Sequence, residues 1–121
     1  MINYFENDYS VPIILGGNTD GLMAADVISR HSDKEIHVFS NHLSIFKKIR
    51  FTFHKVPRSL SLLPKSLLDF AGTIHEYYTP ILIFSSEYSE FIEENRALLE
   101  SFYIIIPASE IKQYFSETLK E

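Results

Sequence analysis

Short apolar runs alternate with stretches of helical spacing along most of this chain. The apolar runs predict strands at residues 11–15, 35–39, 51–56, 81–84 and 102–106. Apolar residues at helical spacing predict helices at about 21–31, 42–48, 65–78 and 88–99, and a last one from Pro107 onward. Alternation of this kind is typical of an α/β protein with a parallel sheet and helices on both faces.

The order of the strands follows from how continuously apolar each run is. Residues 11–15 and 81–84 are apolar throughout, which is typical of central strands buried on both faces. Residues 51–56 alternate between apolar and polar, which favours a half-exposed strand near an edge. We therefore predict a doubly wound, mostly parallel, five-stranded, Rossmann-like sheet in the order 3-2-1-4-5 with right-handed crossovers.

The first predicted strand runs into a glycine turn and then a helix. Gly16 and Gly17 lack a Cβ, so we expect one of them to adopt a positive φ or to admit a close neighbour. Thr19 or Asp20 can cap the helix, and Gly21 lets the helix lie close to the sheet. Free N–H groups at such a helix start favour an anion, although the glycines can equally serve only a sharp turn and tight packing.

A dinucleotide is not expected at this turn. The glycines are spaced G-G-x-x-x-G, whereas the dinucleotide fingerprint is G-x-G-x-x-G with an acidic residue after the second strand. Here Ser40 and Asn41 occupy that position, and neither carries a carboxylate. A nicotinamide or flavin dinucleotide is therefore disfavoured.

Two loops are expected to meet at the switch point between the first and fourth strands. The candidate substrate-binding residues in these loops are Gly16, Gly17, Asn18, Thr19, Asp20, Ser85, Ser86 and Glu87. Backbone N–H groups of the first loop and the serine hydroxyls can hold a carboxylate or phosphate, while Glu87 attracts an ammonium group. An amino-acid-like ligand has both a carboxylate and an ammonium group, so it would suit both loops. The alternative for Ser85, Ser86 and Glu87 is a helix cap followed by a first-turn glutamate. We expect no catalytic residue in these loops in either case.

Composition narrows the classes of function. The 121 residues fit one domain, in which residues 1–10 are expected to form an N-terminal arm. The net charge of −5 and the lack of a basic run argue against a nucleic-acid partner. There is no cysteine, signal peptide or long apolar run, so we expect a cytoplasmic protein without a membrane partner. The five histidines lack metal-ligand spacing, so no metal site is expected.

The order of three segments resembles a known family. The segments are PIILGGNTDGLMAADVISR, EIHVFSN and TPILIFSSEYSEFIEENRALLESFYIIIPASE, and the likeness covers about residues 11–115. They are similar to the amino-terminal, pre-ATP-grasp domain of ATP-grasp carboxylate–amine ligases, of which the D-aspartate ligases are one branch. Ser85, Ser86 and Glu87 match the Thr/Ser-Ser/Asp-Glu segment that ends the fourth strand in that family.

The resemblance implies a substrate-side domain of an ATP-dependent ligase. In the family, this domain supports two later domains that clamp ATP and Mg²⁺, and it helps to form the acceptor-substrate pocket. The reaction activates a carboxylate as an acyl phosphate, which an amine then attacks to give an amide. This sequence has no lysine loop and no Mg²⁺-binding carboxylate cluster after Pro107, so we expect no cofactor and no catalysis in this chain alone. The alternative is a stand-alone, non-catalytic Rossmann-like module that binds a small ligand or regulates a partner.

Overall fold

The computed structural model describes residues 5, 9–16, 19–41, 51–74 and 78–120. The strands are β1 (Ser10–Leu15), β2 (Ile36–Ser40), β3 (Phe51–Lys55), β4 (Thr79–Phe84) and β5 (Ile104–Pro107). The helices are α1 (Thr19–His31), α2 (Leu63–Ile74), α3 (Ser89–Leu99) and α4 (Ile111–Lys120). Short 3₁₀ turns at Leu60–Leu62, Ser86–Tyr88 and Ala108–Glu110 precede the last three helices.

The sheet confirms the predicted fold class and strand order. Five strands lie in the order β3-β2-β1-β4-β5, and every neighbouring pair is parallel. Along the β1–β4 pair the register runs from Ser10 beside Thr79 to Leu15 beside Phe84. The two strands therefore end side by side, and the loops that follow them leave the sheet at the same edge. This is the switch point of a doubly wound, Rossmann-like fold.

The core lies on both faces of the central strands because successive strand side chains point to opposite faces. Ile13 and Leu15 of β1 pack on the side of α2 and α3, whereas Ile14 packs on the side of α1 and α4. All three side chains are fully buried. Strand β4 alternates in the same way, with Ile83 on one side and Leu82 on the other. Burial on both faces is the physical reason that these strands read as continuous apolar runs.

The main differences from the prediction lie at the ends of elements. Helix α1 begins at Thr19, two residues earlier than predicted, and β5 begins only at Ile104. Ser10 already belongs to β1, and the aromatic ring of Phe5 is buried against α4 at Phe115, so these parts of the predicted arm pack onto the domain. The helix predicted at 42–48 lies outside the described residues.

One core assignment in α3 is wrong. Helical spacing predicts Phe91, Ile92, Leu98 and Leu99 on the buried side of α3, but Leu98 is 45% exposed while Leu99 is fully buried. At the C-terminal end of α3 only Leu99 meets the core, whereas nearer the start of the helix the consecutive residues Phe91 and Ile92 are both buried, as predicted.

Candidate functional site at the switch point

Gly16 ends β1 in a conformation that favours glycine. Its φ is +106°, and its N–H donates to the carbonyl of Phe39 at 2.8 Å. A Cβ built on Gly16 would lie 2.8 Å from Glu87 Oε1 and 3.0 Å from Ser85 Cβ. Both halves of the glycine prediction are therefore confirmed at Gly16, namely positive φ and a close neighbour. Gly17 and Asn18 lie outside the described residues.

Gly21 allows α1 to start close to the end of β1. A Cβ at this position would lie 2.7 Å from the Gly16 carbonyl oxygen and 3.4 Å from Ser85 Cβ. The next residues that face the sheet, Ala24 and Ala25, are small and almost fully buried. The predicted reason for these small residues, close approach of the helix to the sheet, is confirmed.

A hydrogen bond between Asp20 and Ser86 joins the two loops across the switch point. Asp20 Oδ2 accepts from the Ser86 backbone N–H at 2.8 Å, over a separation of 66 residues. Oδ1 of the same carboxylate lies 3.0 Å from the N–H of Gly21. Asp20 was considered as a cap of α1, but α1 begins one residue earlier, at Thr19. The carboxylate instead accepts the first N–H of the turn that leads into α3.

Ser85 forms the floor between the two loops. It is fully buried, and its N–H donates to the Leu15 carbonyl at 2.9 Å. Its hydroxyl donates to Glu87 Oε1 at 3.3 Å and makes no capping hydrogen bond to the following turn. The capping oxygen for that turn therefore comes from Asp20 and not from the residue in the cap position.

The described part of the crevice is consequently acidic. Asp20 and Glu87 bring two carboxylates to neighbouring positions, and Ser86 and Glu87 are exposed at the protein surface. The N–H of Ser86 already has an anionic acceptor, so a ligand carboxylate would have to compete with Asp20 for it. Two carboxylates at the same edge of the sheet attract a positively charged group.

A pair of histidines comes together away from this site, which the sequence spacing did not indicate. His37 Nδ1 and His54 Nε2 lie 3.1 Å apart across β2 and β3. The His54 ring stacks on Phe39 at a centroid distance of 4.5 Å, and Phe70 of α2 covers both histidines. His37 lies in β2 and His54 lies in the neighbouring strand β3. The two can be paired only when the register of these strands is known.

Burial governs the charge of this pair. Desolvation lowers the pKa of His37, with Glu35 opposing the shift from 3.9 Å away. Desolvation also lowers the pKa of His54, and the nearby His37 lowers it further. The pair is thus neutral at pH 7 and shares one hydrogen bond, so one ring donates and the other accepts. We assign it a packing role beneath α2.

Neither a metal cluster nor a membrane span is found in the part of the chain that the structure describes. Among residues 5, 9–16, 19–41, 51–74 and 78–120, no three His, Cys, Asp or Glu side chains lie close enough together to hold a metal ion. No helix within these residues combines the length and apolar character required to cross a membrane.

The chain has no match among protein-family models, curated proteins or solved structures.

Proposed function

We propose that this chain is the substrate-side domain of an ATP-dependent carboxylate–amine ligase, similar to the D-aspartate ligases. In this proposal the domain binds the amino-acid-like substrate at the switch point through its ammonium group. Acyl-phosphate formation, with ATP and Mg²⁺, would take place on ATP-grasp domains that this sequence does not contain. The observation that carries the proposal is the joining of the two loops by Asp20 and Ser86, which brings the Glu87 carboxylate to the same edge.

The support comes from charge and position together. In open parallel sheets, ligands bind outside the carboxyl ends of the strands at the switch point, where Asp20 and Glu87 lie. Glu87 accepts from a hydroxyl on a fully buried residue, Ser85, so one of its oxygens is held in place relative to the sheet. A carboxylate that is already positioned loses less conformational entropy when it binds an ammonium group.

A second candidate, a stand-alone and non-catalytic ligand-binding or regulatory module, is favoured by one observation. Asp20 satisfies the Ser86 N–H without any ligand. If the crevice serves only to join the two loops, no ligand is needed to satisfy the Ser86 N–H. In its regulatory form, with a crevice that binds no ligand, the second candidate therefore predicts that loss of the Glu87 charge changes no ligand affinity.

The gene and the kinetics of its full product separate the two candidates. The ligase proposal expects the reading frame to continue into domains with a lysine-bearing glycine loop and paired carboxylates. In that full-length protein, Glu87→Gln should raise the KM for the amine substrate and leave the KM for ATP unchanged. The matched control is Glu93→Gln, at an exposed glutamate of α3 away from the switch point. This variant should change neither of the two KM values. A reading frame without such domains, or a raised KM for ATP alone, would contradict the proposal.

A further inference from the structure

A second surface, which shares Glu87 with the proposed ligand site, lies between the start of α2 and the first turns of α3. It is an open groove of about 730 Å³, with the segment from Leu60 to Pro64 on one side and the segment from Glu87 to Asn95 on the other. Tyr88 and Phe91 lie on the α3 side, with their rings edge to face at 6.3 Å. Both side chains belong to the core and are only 8% and 7% exposed, so they offer the groove little aromatic surface.

One large apolar side chain that lines this groove is exposed, and a second lies next to it in the same 3₁₀ turn. Leu60 lines the groove and is 54% exposed, and Leu62 in the same 3₁₀ turn is 56% exposed. Two such leucines within three residues leave apolar area in water that a partner can bury. This observation is independent of charge and indicates an apolar contact.

The α3 wall carries carboxylates that have no ion-pair partner within the described residues. Glu90 and Glu94 line the groove one helical turn apart, so their Cβ atoms are about 6 Å from each other. By contrast, Glu93 of α3 and Glu100, which directly follows α3, both form ion pairs with Arg96, at 3.2 and 3.4 Å. No basic residue is found among the described residues that line the groove. The carboxylates facing the groove thus differ from those elsewhere on α3.

We infer that this groove binds a helical segment of a partner protein with two basic residues four positions apart beside apolar side chains. The basic residues would match the spacing of Glu90 and Glu94, and the apolar side chains would contact Leu60. Laying an amphipathic helix in a groove is a recurrent way in which proteins recognise peptides. A second copy of this chain is a poorer occupant because each copy carries a net charge of −5.

Fluorescence anisotropy with a model peptide tests the inference. The probe is a labelled helical peptide of alanine, leucine and lysine, about 15 residues long, with lysines four residues apart beside leucines. A peptide with glutamate in place of lysine and a scrambled peptide are the controls. At about 50 mM salt the lysine peptide should bind saturably and weaken as salt rises, and neither control peptide should bind.

Matched variants assign the binding to the groove. A double variant that combines Glu90→Gln and Glu94→Gln should bind the lysine peptide about fivefold or more weakly, as expected for two lost ion pairs. The control pair, Glu93→Gln with Glu100→Gln, removes the same charge outside the groove and should change the affinity less than about twofold.

The apolar contact has its own control. Leu60→Ser should weaken binding of the lysine peptide, while Leu98→Ser, at an exposed leucine that does not line the groove, should not. Equal losses from the two glutamine pairs, or equal binding of the lysine and scrambled peptides, would show non-specific charge attraction and overturn the inference. Absence of binding by the lysine peptide would overturn it as well.

Discussion

Gly16→Ala should destabilise the domain strongly, because Gly16 combines positive φ with a lack of space. Placing a side chain at φ +106° costs about 1–2 kcal/mol by backbone sterics. The new methyl group would also lie 2.8 Å from Glu87 Oε1 and 3.0 Å from Ser85 Cβ, and such overpacking costs about 1–3 kcal/mol. The lower entropy of the unfolded alanine chain returns about 0.5–1 kcal/mol. We expect a net loss of about 1–4.5 kcal/mol.

Gly72→Ala is the matched control for this substitution. Gly72 lies in α2 at an exposed position, and a Cβ built there meets no atom within 4 Å. Alanine is the better helix former, so this variant should gain about 0.5–1 kcal/mol. The two substitutions are chemically identical but should shift stability in opposite directions.

Urea unfolding and thermal unfolding, each followed by circular dichroism, measure both changes. The melting temperature of Gly16→Ala should fall on the order of 10 °C, and that of Gly72→Ala should rise by a few degrees. If Gly16→Ala unfolds at the same urea concentration as the unsubstituted chain, then the turn tolerates a side chain. The close approach of Gly16 to Ser85 and Glu87 would then have no effect on the free energy of unfolding when a side chain is added.

Three further predictions concern other parts of the structure. Asp20→Ala should cost about 1 kcal/mol and speed hydrogen exchange of the Ser86 amide, because that N–H loses a charged acceptor; unchanged exchange would count against the loop connection. Tyr103→Phe should cost about 1 kcal/mol in urea melts, since its buried hydroxyl donates to a carbonyl of α2 at 2.6 Å. The lowered pKa values of His37 and His54 mean that the unfolded chain binds protons more readily, so their contribution to stability is complete above pH 6.5 and is lost as the pH falls through the lowered pKa values. Replacing both histidines with glutamine should flatten that pH dependence in urea melts, and an equally steep profile would contradict it.

The sheet could be predicted from the sequence because its evidence is local. The continuous apolar residues at 11–15 and 81–84 indicate strands buried on both faces. The alternation of apolar and polar residues at 51–56 indicates an edge strand. A positive φ at either Gly16 or Gly17 could also be predicted, because two glycines directly follow a buried strand, but the pattern does not say which of the two adopts it.

The contacts within the site could not be predicted in the same way. Capping rules are local, so the sequence favoured Thr19 or Asp20 as a cap of α1, whereas Asp20 accepts from a turn 66 residues away. The pairing of His37 with His54 depends on the register of β2 on β3, which periodicity does not specify. In both cases the missing information is the relative position of two elements, and sequence spacing carries no direct record of it.

A titration of the ¹⁵N-labelled chain followed by NMR tests the proposed ligand site most directly. Aspartate and succinate are the matched ligands, since they share two carboxylates and differ in the ammonium group. Aspartate should shift the amide signals of Gly16, Asp20 and residues 85–87, succinate should not, and Glu87→Gln should remove the response. Mg²⁺-ATP should not bind with sub-micromolar affinity. Equal shifts with aspartate and succinate, or no shifts with either, would contradict an ammonium-binding site at the switch point.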